Sequence, residues 1–176
     1  TGKTGKLARP DMLGKTFGLP TGDAGYTLVR TGYPDITANP DKHPTDVYYI
    51  RTEEDLKDMA NHPYAVHIQL NNIELTGNWT PVGSASEPFS GVFDGGGYAL
   101  DGLVVSGTNN LGLFGYVSGA DIKNVRLENV TVTGNQYVGA LAGRLDSSIG
   151  ASSITNCAAV SGSITGMVFV GGLIGY

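Results

Sequence analysis

The strongest constraint on the fold is a repeat in the second half of the chain. Residues 122–144 align with residues 154–176 at a constant offset of 32 without a gap, and eight of the 23 positions are identical. Self-similarity with a period of about 20 to 50 residues is typical of solenoids, in which one unit cannot bury its apolar face alone. We therefore predict parallel strands in successive coils at residues 122–127 and 154–159. The side chains expected inside the coils are Val138, Leu141, Val170 and Leu173.

An earlier copy of the repeat is shorter. Residues 100–103 resemble residues 122–125, and residues 112–115 resemble residues 140–143. The interval from Leu100 to Ile122 is 22 residues, against 32 for the next interval. Because a stacked coil tolerates length changes in its turns while its strands keep their positions, we expect the difference to lie in the turns.

The turn positions carry residues that suit a left-handed backbone. Gly102, Asn124 and Asn156 each lie two residues after the leading aliphatic residue of a copy, and Gly and Asn tolerate positive φ best. Stacked one above the other, Asn124 and Asn156 are predicted to exchange amide hydrogen bonds between coils. Cys157 follows at an inward position, so we expect a buried, inert thiol.

The composition and net charge of the chain exclude several classes of fold and partner. The 27 glycines are accompanied by 40% hydrophobic residues, so the glycines mark turns in a packed fold rather than disorder. A net charge of -5 disfavours nucleic acid and anionic lipid as partners. No apolar run approaches the roughly 18 residues that span a bilayer, so no membrane insertion is expected. The single cysteine excludes an intrachain disulfide.

The first half differs from the repeats. Residues 1–45 contain five prolines among Gly, Thr and Lys, which predicts an extended arm. Residues 46–97 are interpreted as a cap and a first coil. Thr52 stands three residues before Asp55, close to a capping box, and predicts a short helix that ends near Asn61. The alternation of apolar and polar residues at 66–70 then predicts a strand with one buried face.

Several segments resemble one known family of repeats. Residues 112–115 (GLFG), 138–143 (VGALAG) and 170–175 (VGGLIG) are similar to GLUG repeats, and residues 89–98 (FSGVFDGGGY) are similar to the stretch that leads into them. The resemblance covers about residues 47–176. It implies a right-handed parallel β-helix, here all-β with a short N-terminal capping helix, an extended arm and repeats over residues 98–176. Ala140 stands where Gly is common in the family, and its small side chain should fit.

The resemblance also indicates a class of parent protein. GLUG segments occur in bacterial surface and adhesin-like proteins, and before the catalytic domain of IgA-protease-type metallopeptidases. The last repeat breaks off at Tyr176, so we expect the chain to be a piece of a longer protein, truncated at the C-terminus.

No residues form a convincing catalytic, cofactor-binding or metal-binding set. A zinc peptidase would need His-Glu-x-x-His, which is absent, and His43, His62 and His67 lack metal-ligand spacing. The acids after Tyr98 are interpreted as occupying non-equivalent repeat positions, which disfavours paired carboxylates of a glycosidase. Asp94 and Asp101 flank one turn and are expected to bond local backbone amides.

The sequence contains three weaker patterns. Residues 2–4 (GKT) end like a phosphate-binding loop but lack its upstream glycine and strand. Thr131 and Thr133 would stack under Ser163 and Thr165 as ordinary exposed strand residues. A sugar-stacking platform is conceivable in the cap and first coil, although closure of the core is favoured there. Its members would be Tyr48, Tyr49, Tyr64, Trp79 and Tyr98.

The sequence therefore predicts a non-catalytic structural or adhesive module of a larger extracellular or cell-surface bacterial protein. The alternative is a non-catalytic segment of a secreted metallopeptidase or carbohydrate-active enzyme. No cofactor is expected. The expected partners are a protein or glycan ligand, or neighbouring subunits that pack end to end.

Overall fold

The computed structural model describes residues 47–176, and these fold almost entirely into short β-strands. The strands are β1 (Val47–Ile50), β2 (Val66–Gln69), β3 (Ile73–Glu74), β4 (Val92–Asp94), β5 (Ala99–Asp101), β6 (Val104–Ser106), β7 (Asn109–Leu111), β8 (Phe114–Ser118), β9 (Asp121–Lys123), β10 (Arg126–Glu128), β11 (Val130–Thr133), β12 (Gln136–Val138), β13 (Ala142–Asp146), β14 (Ser153–Thr155), β15 (Ala158–Ala159), β16 (Gly162–Thr165) and β17 (Val168–Val170). A short helix, α1 (Glu53–Asp58), and a 3-10 turn, Met59–Asn61, follow β1. The arm predicted at residues 1–45 lies outside the described residues.

The strands stack into parallel sheets that run along a solenoid of about four coils. Sheet A has the order β1-β2-β4-β9-β14, and sheet B has the order β15-β10-β5-β3. Sheet C contains β16-β11-β6, sheet D pairs β13 with β8, and sheet E contains β17-β12-β7. Non-consecutive strands are neighbours in every sheet except for β1 with β2, because the chain passes around a whole coil before it returns to the same sheet. The predicted all-β solenoid is confirmed.

The register of the last two coils follows the sequence repeat. Ile154 pairs with Ile122 in sheet A, and Ala158 pairs with Arg126 in sheet B. The offset of 32 then continues through sheets C and E without a slip. This confirms the predicted parallel strands in successive coils. Val138 and Leu141 are fully buried, whereas Val170 on the last coil is 43% exposed because no described residue stacks on it.

The predicted alignment of the shorter copy is wrong at its start. Leu100 pairs with Leu127, and Phe93 is the residue that pairs with Ile122. The glycine-rich corner after β4 takes the place that Asn124 holds one coil later, so Leu100 belongs to the second strand of its coil. Gly102 is therefore equivalent to Asn129 rather than to Asn124.

The later part of the shorter copy is aligned as predicted. Phe114 pairs with Ala142, so residues 112–115 lie under residues 140–143. Close approach explains the small residues there. A Cβ placed on Gly143 would lie 2.4 Å from the backbone nitrogen of Leu111, and no side chain can occupy that space.

The N-terminal end of the solenoid is closed by α1. Thr52 Oγ1 accepts a hydrogen bond from the backbone N–H of Asp55 at 3.1 Å, and the Asp55 carboxylate accepts one from the Thr52 N–H at 3.0 Å. This is the predicted capping box. Leu56 and Met59, both 0% exposed, point into the core and cover the first coil. The helix therefore acts as a cap, and its 3-10 extension ends at Asn61 as predicted.

Strand β2 presents the opposite face to the core from the one that its pattern suggests. The polar residues His67 and Gln69 are each 1% exposed, whereas Val66 and Ile68 are only half-buried. Register explains the inversion, because His67 pairs with Phe93 and so occupies the inward column that continues through Ile122. Pairing between coils overrides the local alternation of hydrophobicity here.

Aromatic side chains fill the centre of the first coils. The ring centroids of Phe89 and Phe114 lie 4.6 Å apart, and those of Phe93 and Phe114 lie 5.8 Å apart with an edge-on geometry. Trp79 is 3% exposed, and its Nε1–H donates to the carbonyl oxygen of Leu113 at 2.9 Å. Such pairs add about 0.5–1.5 kcal/mol beyond the burial of their area.

Candidate functional site

The histidines considered as metal ligands come together only in part. His43 lies outside the described residues. His62 and His67 both lie beside Tyr48, whose ring stacks on theirs at centroid distances of 4.4 and 5.5 Å. His67 Nε2 donates to the backbone oxygen of His62 at 2.9 Å, which directs this nitrogen away from any ligand. Within residues 47–176, no group of three or more His, Cys, Asp or Glu is placed to hold a metal ion.

His67 is the most strongly perturbed titratable group that the structure describes. Burial disfavours its charged form and lowers its pKa to about 4, although the hydrogen bond to His62 opposes the shift. The side chain is therefore neutral at physiological pH. A neutral, buried imidazole that is enclosed by aromatic rings fits a role in packing.

Asp94 begins a side-chain ladder that crosses three coils. Its Oδ1 accepts from the backbone N–H of Gly96 at 3.0 Å and from Asn124 Nδ2 at 2.9 Å. Asn124 Oδ1 accepts in turn from Asn156 Nδ2 at 2.8 Å. The predicted Asn124–Asn156 hydrogen bond is confirmed. Both asparagines have positive φ, 54° and 51°, as expected from their position at a corner.

A second ladder begins at Asp101. Its Oδ1 accepts from Asn129 Nδ2 at 2.7 Å, and Asn129 Oδ1 accepts from Ser161 Oγ at 3.2 Å. Asp101 thus bonds a side chain of the next coil rather than the local backbone amide that was predicted. Asp94 accepts from both a local backbone amide, that of Gly96, and a side chain of the next coil, that of Asn124.

The acids are less scattered than the sequence alignment implied. Asp101 pairs with Glu74 on one side and with Glu128 on the other, so three carboxylates lie in one row on sheet B. The interpretation of non-equivalent positions is wrong for Asp101 and Glu128, because it depended on the mistaken alignment of Leu100. Neighbouring groups engage two of these three carboxylates: Asn129 Nδ2 donates to Asp101, and Arg126 forms an ion pair with Glu128.

The aromatic platform, which the sequence disfavoured against closure of the core, is not formed. Trp79 is buried in the core, Tyr48 covers the two histidines, and Tyr98 lies alone at the surface with 40% of its area exposed. The threonine rows are formed, since Thr131 pairs with Ser163 and Thr133 with Thr165 in sheet C. The lysine and threonine of residues 2–4 lie outside the described part of the chain.

A different aromatic cluster lies on the last coils. The rings of Tyr137 and Phe169 stack with centroids 5.0 Å apart and an interplanar angle of 2°. Tyr176 meets both rings edge-on, at 5.7 and 4.9 Å. The Arg144 guanidinium lies over the rings of Tyr116, Tyr137 and Tyr176 at 5.2, 5.2 and 5.6 Å. We call these five residues the aromatic–arginine cluster.

The backbone of this cluster is unusual. Tyr137 and Phe169 have φ of 55° and 54°, a region that bulky residues rarely adopt. Asn110, which tolerates this conformation better, holds the equivalent corner one coil earlier with φ of 56°. The stacking and cation–π contacts offset the backbone cost. The sequence signal was present, since 137/169 and 144/176 are both related by the offset of 32, but aromatic residues do not suggest a left-handed corner.

Asp146 completes the electrostatics around Arg144. Its carboxylate accepts from the backbone N–H of Ser148 at 2.7 Å and lies 3.7 Å from Arg144 Nη2. The hydrogen bonds from Ser148, together with smaller effects of Tyr116 and Arg144, lower the pKa of Asp146. Burial and the neighbouring Asp146 raise the pKa of Tyr116. The cluster is therefore internally neutralised and contributes cohesion between coils.

The last coil, residues 153–176, presents an open face. Its strands β14, β15, β16 and β17 each pair with one neighbour among the described residues. Large hydrophobic residues are exposed there, and they include Val160 (58%), Met167 (80%), Val168 (41%), Phe169 (46%), Val170 (43%) and Tyr176 (58%). We call this face the open coil. It is the largest concentration of exposed hydrophobic side chains within residues 47–176, because no described residue stacks on this coil.

Comparisons with known proteins give one informative similarity. The chain is 37% identical over 101 residues to Halomucin of Haloquadratum walsbyi, an alignment that covers 54% of this chain and 1% of that protein. The chain thus spans about 1% of the length of this relative. No protein-family model matches the chain, so the GLUG resemblance is not confirmed, and no solved structure matches it significantly. No helix within residues 47–176 is long and apolar enough to cross a membrane.

Proposed function

We propose that this chain is a non-catalytic structural module of a larger secreted or cell-surface protein. It serves as a rigid spacer that presents a repetitive outer surface to a protein or glycan partner. The observation that carries this proposal is the constant register of 32 residues through every sheet that joins the last two coils. When each coil repeats the one below it, the stack forms a long rod with an extended repetitive surface. It does not form one unique cleft.

The side chains that link the coils are consistent with a rigid spacer. The ladders from Asp94 and Asp101 and the aromatic–arginine cluster each cross three coils at the outside of the solenoid. Each hydrogen bond contributes about 0.5–1.5 kcal/mol, and those to a carboxylate contribute more. The corners are thus held together independently of the apolar core.

The placement of the carboxylates supports a non-catalytic module. A glycosidase needs two carboxyl groups that are free to face a sugar. Here Asp94 and Asp101 each accept a hydrogen bond from an asparagine of the next coil, and Glu128 is paired with Arg126. Groups engaged in this way hold the coils in register.

The similarity to Halomucin supports placement in a large parent protein, because the matched region is only 1% of that protein. A surface location for the parent is part of our proposal. It is tested by raising antibodies against residues 47–176 and applying them to intact and lysed source cells. We expect binding to intact cells and loss of the epitope when these cells are treated with external protease. An intracellular protein serves as the control for lysis. If the epitope, like this control, is detected only after lysis, the surface assignment is wrong.

A further inference from the structure

We propose that Asn78 is an acceptor for an N-linked oligosaccharide, and that the hydrogen bond to Asp101 keeps a second candidate, Asn129, unmodified in the folded chain. This inference rests on the surface location proposed above, because such oligosaccharides are attached to exported chains. It is supported by the sequence pattern, by the direction of the side chains and by the hydrogen bonds of the two asparagines.

The sequence pattern singles out two segments of the chain. Oligosaccharyltransferases recognise Asn-x-Ser/Thr, in which x is any residue except proline. The pattern occurs at residues 78–80 (NWT) and 129–131 (NVT), and no other asparagine of the chain has Ser or Thr two positions later. We call these segments the first and the second sequon.

Both sequons direct their asparagine and threonine outward. Asn78 and Thr80 are exposed on either side of the buried Trp79, because the side chains of an extended segment alternate between two faces. Residues 129–131 repeat this arrangement around the buried Val130. Exposure alone therefore does not distinguish the two sequons.

The first sequon does not lie at an end of the described stack. On its N-terminal side, the carboxylate of Glu53 in α1 accepts from the backbone N–H of Thr76 at 3.2 Å and from Thr76 Oγ1 at 2.7 Å. On its other side, Asn78 forms a parallel bridge with Val104 of the next coil. The sequon is thus held between the cap and β6, and Asn78 faces outward from the solenoid.

The two asparagines differ at Nδ2, the atom that would carry the sugar. Nδ2 of Asn129 donates to Asp101 Oδ1 at 2.7 Å. Asn78 is held through its Oδ1, which accepts from the backbone N–H and the hydroxyl of Ser106 at 3.0 and 2.8 Å. Its Nδ2 donates to no group within residues 47–176. The first sequon therefore offers a free amide nitrogen, and the second does not.

The backbone around the two sequons differs as well. Residues 75–81 belong to none of the strands β1 to β17, and a Cβ placed on Gly77 would meet no atom within 4 Å. Thr131 lies in β11, which pairs with β6 on one side and with β16 on the other. Because an enzyme has to take up the segment around the asparagine, the first sequon is the more accessible substrate.

The reaction needs a lipid-linked oligosaccharide as the donor. Nδ2 of Asn78 forms a C–N bond to the anomeric carbon of the first sugar, and the bond from this carbon to the phosphate oxygen of the carrier breaks. The lipid phosphate leaves with the electron pair, and Nδ2 gives one of its two protons to a base of the enzyme. Pro81 restrains the backbone of Thr80, which limits how the segment fits an enzyme, so we expect partial modification.

The experiment incubates the full chain with a purified oligosaccharyltransferase and its lipid-linked oligosaccharide. Synthetic peptides of residues 74–84 and 125–135 are the unfolded references for the two sequons. We expect mass spectrometry to show modification of Asn78 in the chain at a rate close to that of its peptide. Asn129 in the chain should react about tenfold or more slowly than its peptide, because its bond to a carboxylate must first break.

A matched pair of variants tests the role of the sequon. Thr80→Val removes the hydroxyl of the first sequon and should abolish modification of Asn78. Thr131→Val makes the same change in the second sequon and should leave Asn78 modified as in the wild-type chain.

Other outcomes overturn the proposal. If Asn78 reacts in neither the chain nor its peptide, or in the peptide alone, the first sequon is not an acceptor in the folded protein. Equal rates for both asparagines in the chain would show that the bond to Asp101 gives no protection. In source cells, a parent protein that the antibodies place at the surface, but whose peptide around Asn78 carries no glycan, would refute the modification and leave the proposed function standing. An intracellular parent protein would refute both.

Discussion

Lowering the pH from about 7 to about 4.5 should destabilise the fold through His67. In the native state burial holds the pKa of this imidazole at about 4, against an ordinary value of 6.5. In the unfolded chain His67 is therefore protonated below about pH 6.5. In the native state it is protonated only when the pH falls to about 4. Because the unfolded state binds more protons in this window, the free energy of unfolding falls as the pH falls. Above pH 6.5 His67 is neutral in both states, so the protein keeps its full stability there.

The size of the effect follows from the difference between the two pKa values. One pKa unit corresponds to about 1.4 kcal/mol, so complete titration from pH 6.5 to pH 4 should cost about 3 kcal/mol. This is a large part of the 5–15 kcal/mol that stabilises a typical domain. It should be visible as a lower midpoint of denaturant unfolding at pH 5 than at pH 7.

The matched control is His67→Phe. Phe93 holds the same inward column one coil later, so an aromatic ring without a titratable group fits this environment. The variant loses the hydrogen bond to His62, but its stability should be nearly constant between pH 7 and pH 5. Urea unfolding of both proteins at several pH values measures the two slopes. Equal slopes in wild type and variant would refute the reasoning, because another group would then cause the loss.

Three further outcomes are expected. Asn124→Ala should lower the free energy of unfolding by about 2–3 kcal/mol, because it removes the ladder bonds to Asp94 and Asn156 and places alanine at φ 54°. Asn124→Gly keeps the backbone freedom and should cost less; equal losses in urea unfolding would show that the backbone contributes nothing. Trp79→Phe leaves the buried carbonyl of Leu113 without its donor and should cost about 1–3 kcal/mol in denaturant unfolding, whereas a neutral result would mean that the bond at 2.9 Å has no net value. A chelator should leave the melting temperature unchanged, since we propose that no metal supports the fold; a clear decrease in calorimetry would contradict this.

The repeat in the sequence predicted the part of the fold that depends on stacking. Ile122 and Ile154 are identical and in register, because side chains one above another must fit the same cross-section. The capping box of Thr52 and Asp55 was equally readable, since it is a local signal. The alternation of apolar and polar residues gave the wrong buried face for the strand at His67, because pairing between coils determines which side chains point inward. Local sequence pattern also failed at Leu100, where an aliphatic–x–Gly motif occurs on a different side of the coil.

The candidate sites were less predictable than the fold. Histidines and acids are the candidate ligands in the sequence, but in the structure the carboxylates of Asp94 and Asp101 accept hydrogen bonds from asparagines of the next coil. The aromatic–arginine cluster was missed because its partners are far apart in sequence and two of its residues adopt a backbone that their types disfavour. Only the stacking of successive coils brings Tyr116, Arg144 and Tyr176 into one column.

The ladder that begins at Asp94 has a consequence for how such a protein can change in length during evolution. Asn124 donates to the coil below and accepts from the coil above, whereas the carboxylate of Asp94 can only accept. A duplicated segment of 32 residues inserted between Asn124 and Asn156 would bring its own asparagine, with one donor and one acceptor already matched. Gene duplication can thus lengthen the rod without any compensating substitution, and the aspartate marks the point below which the series cannot extend.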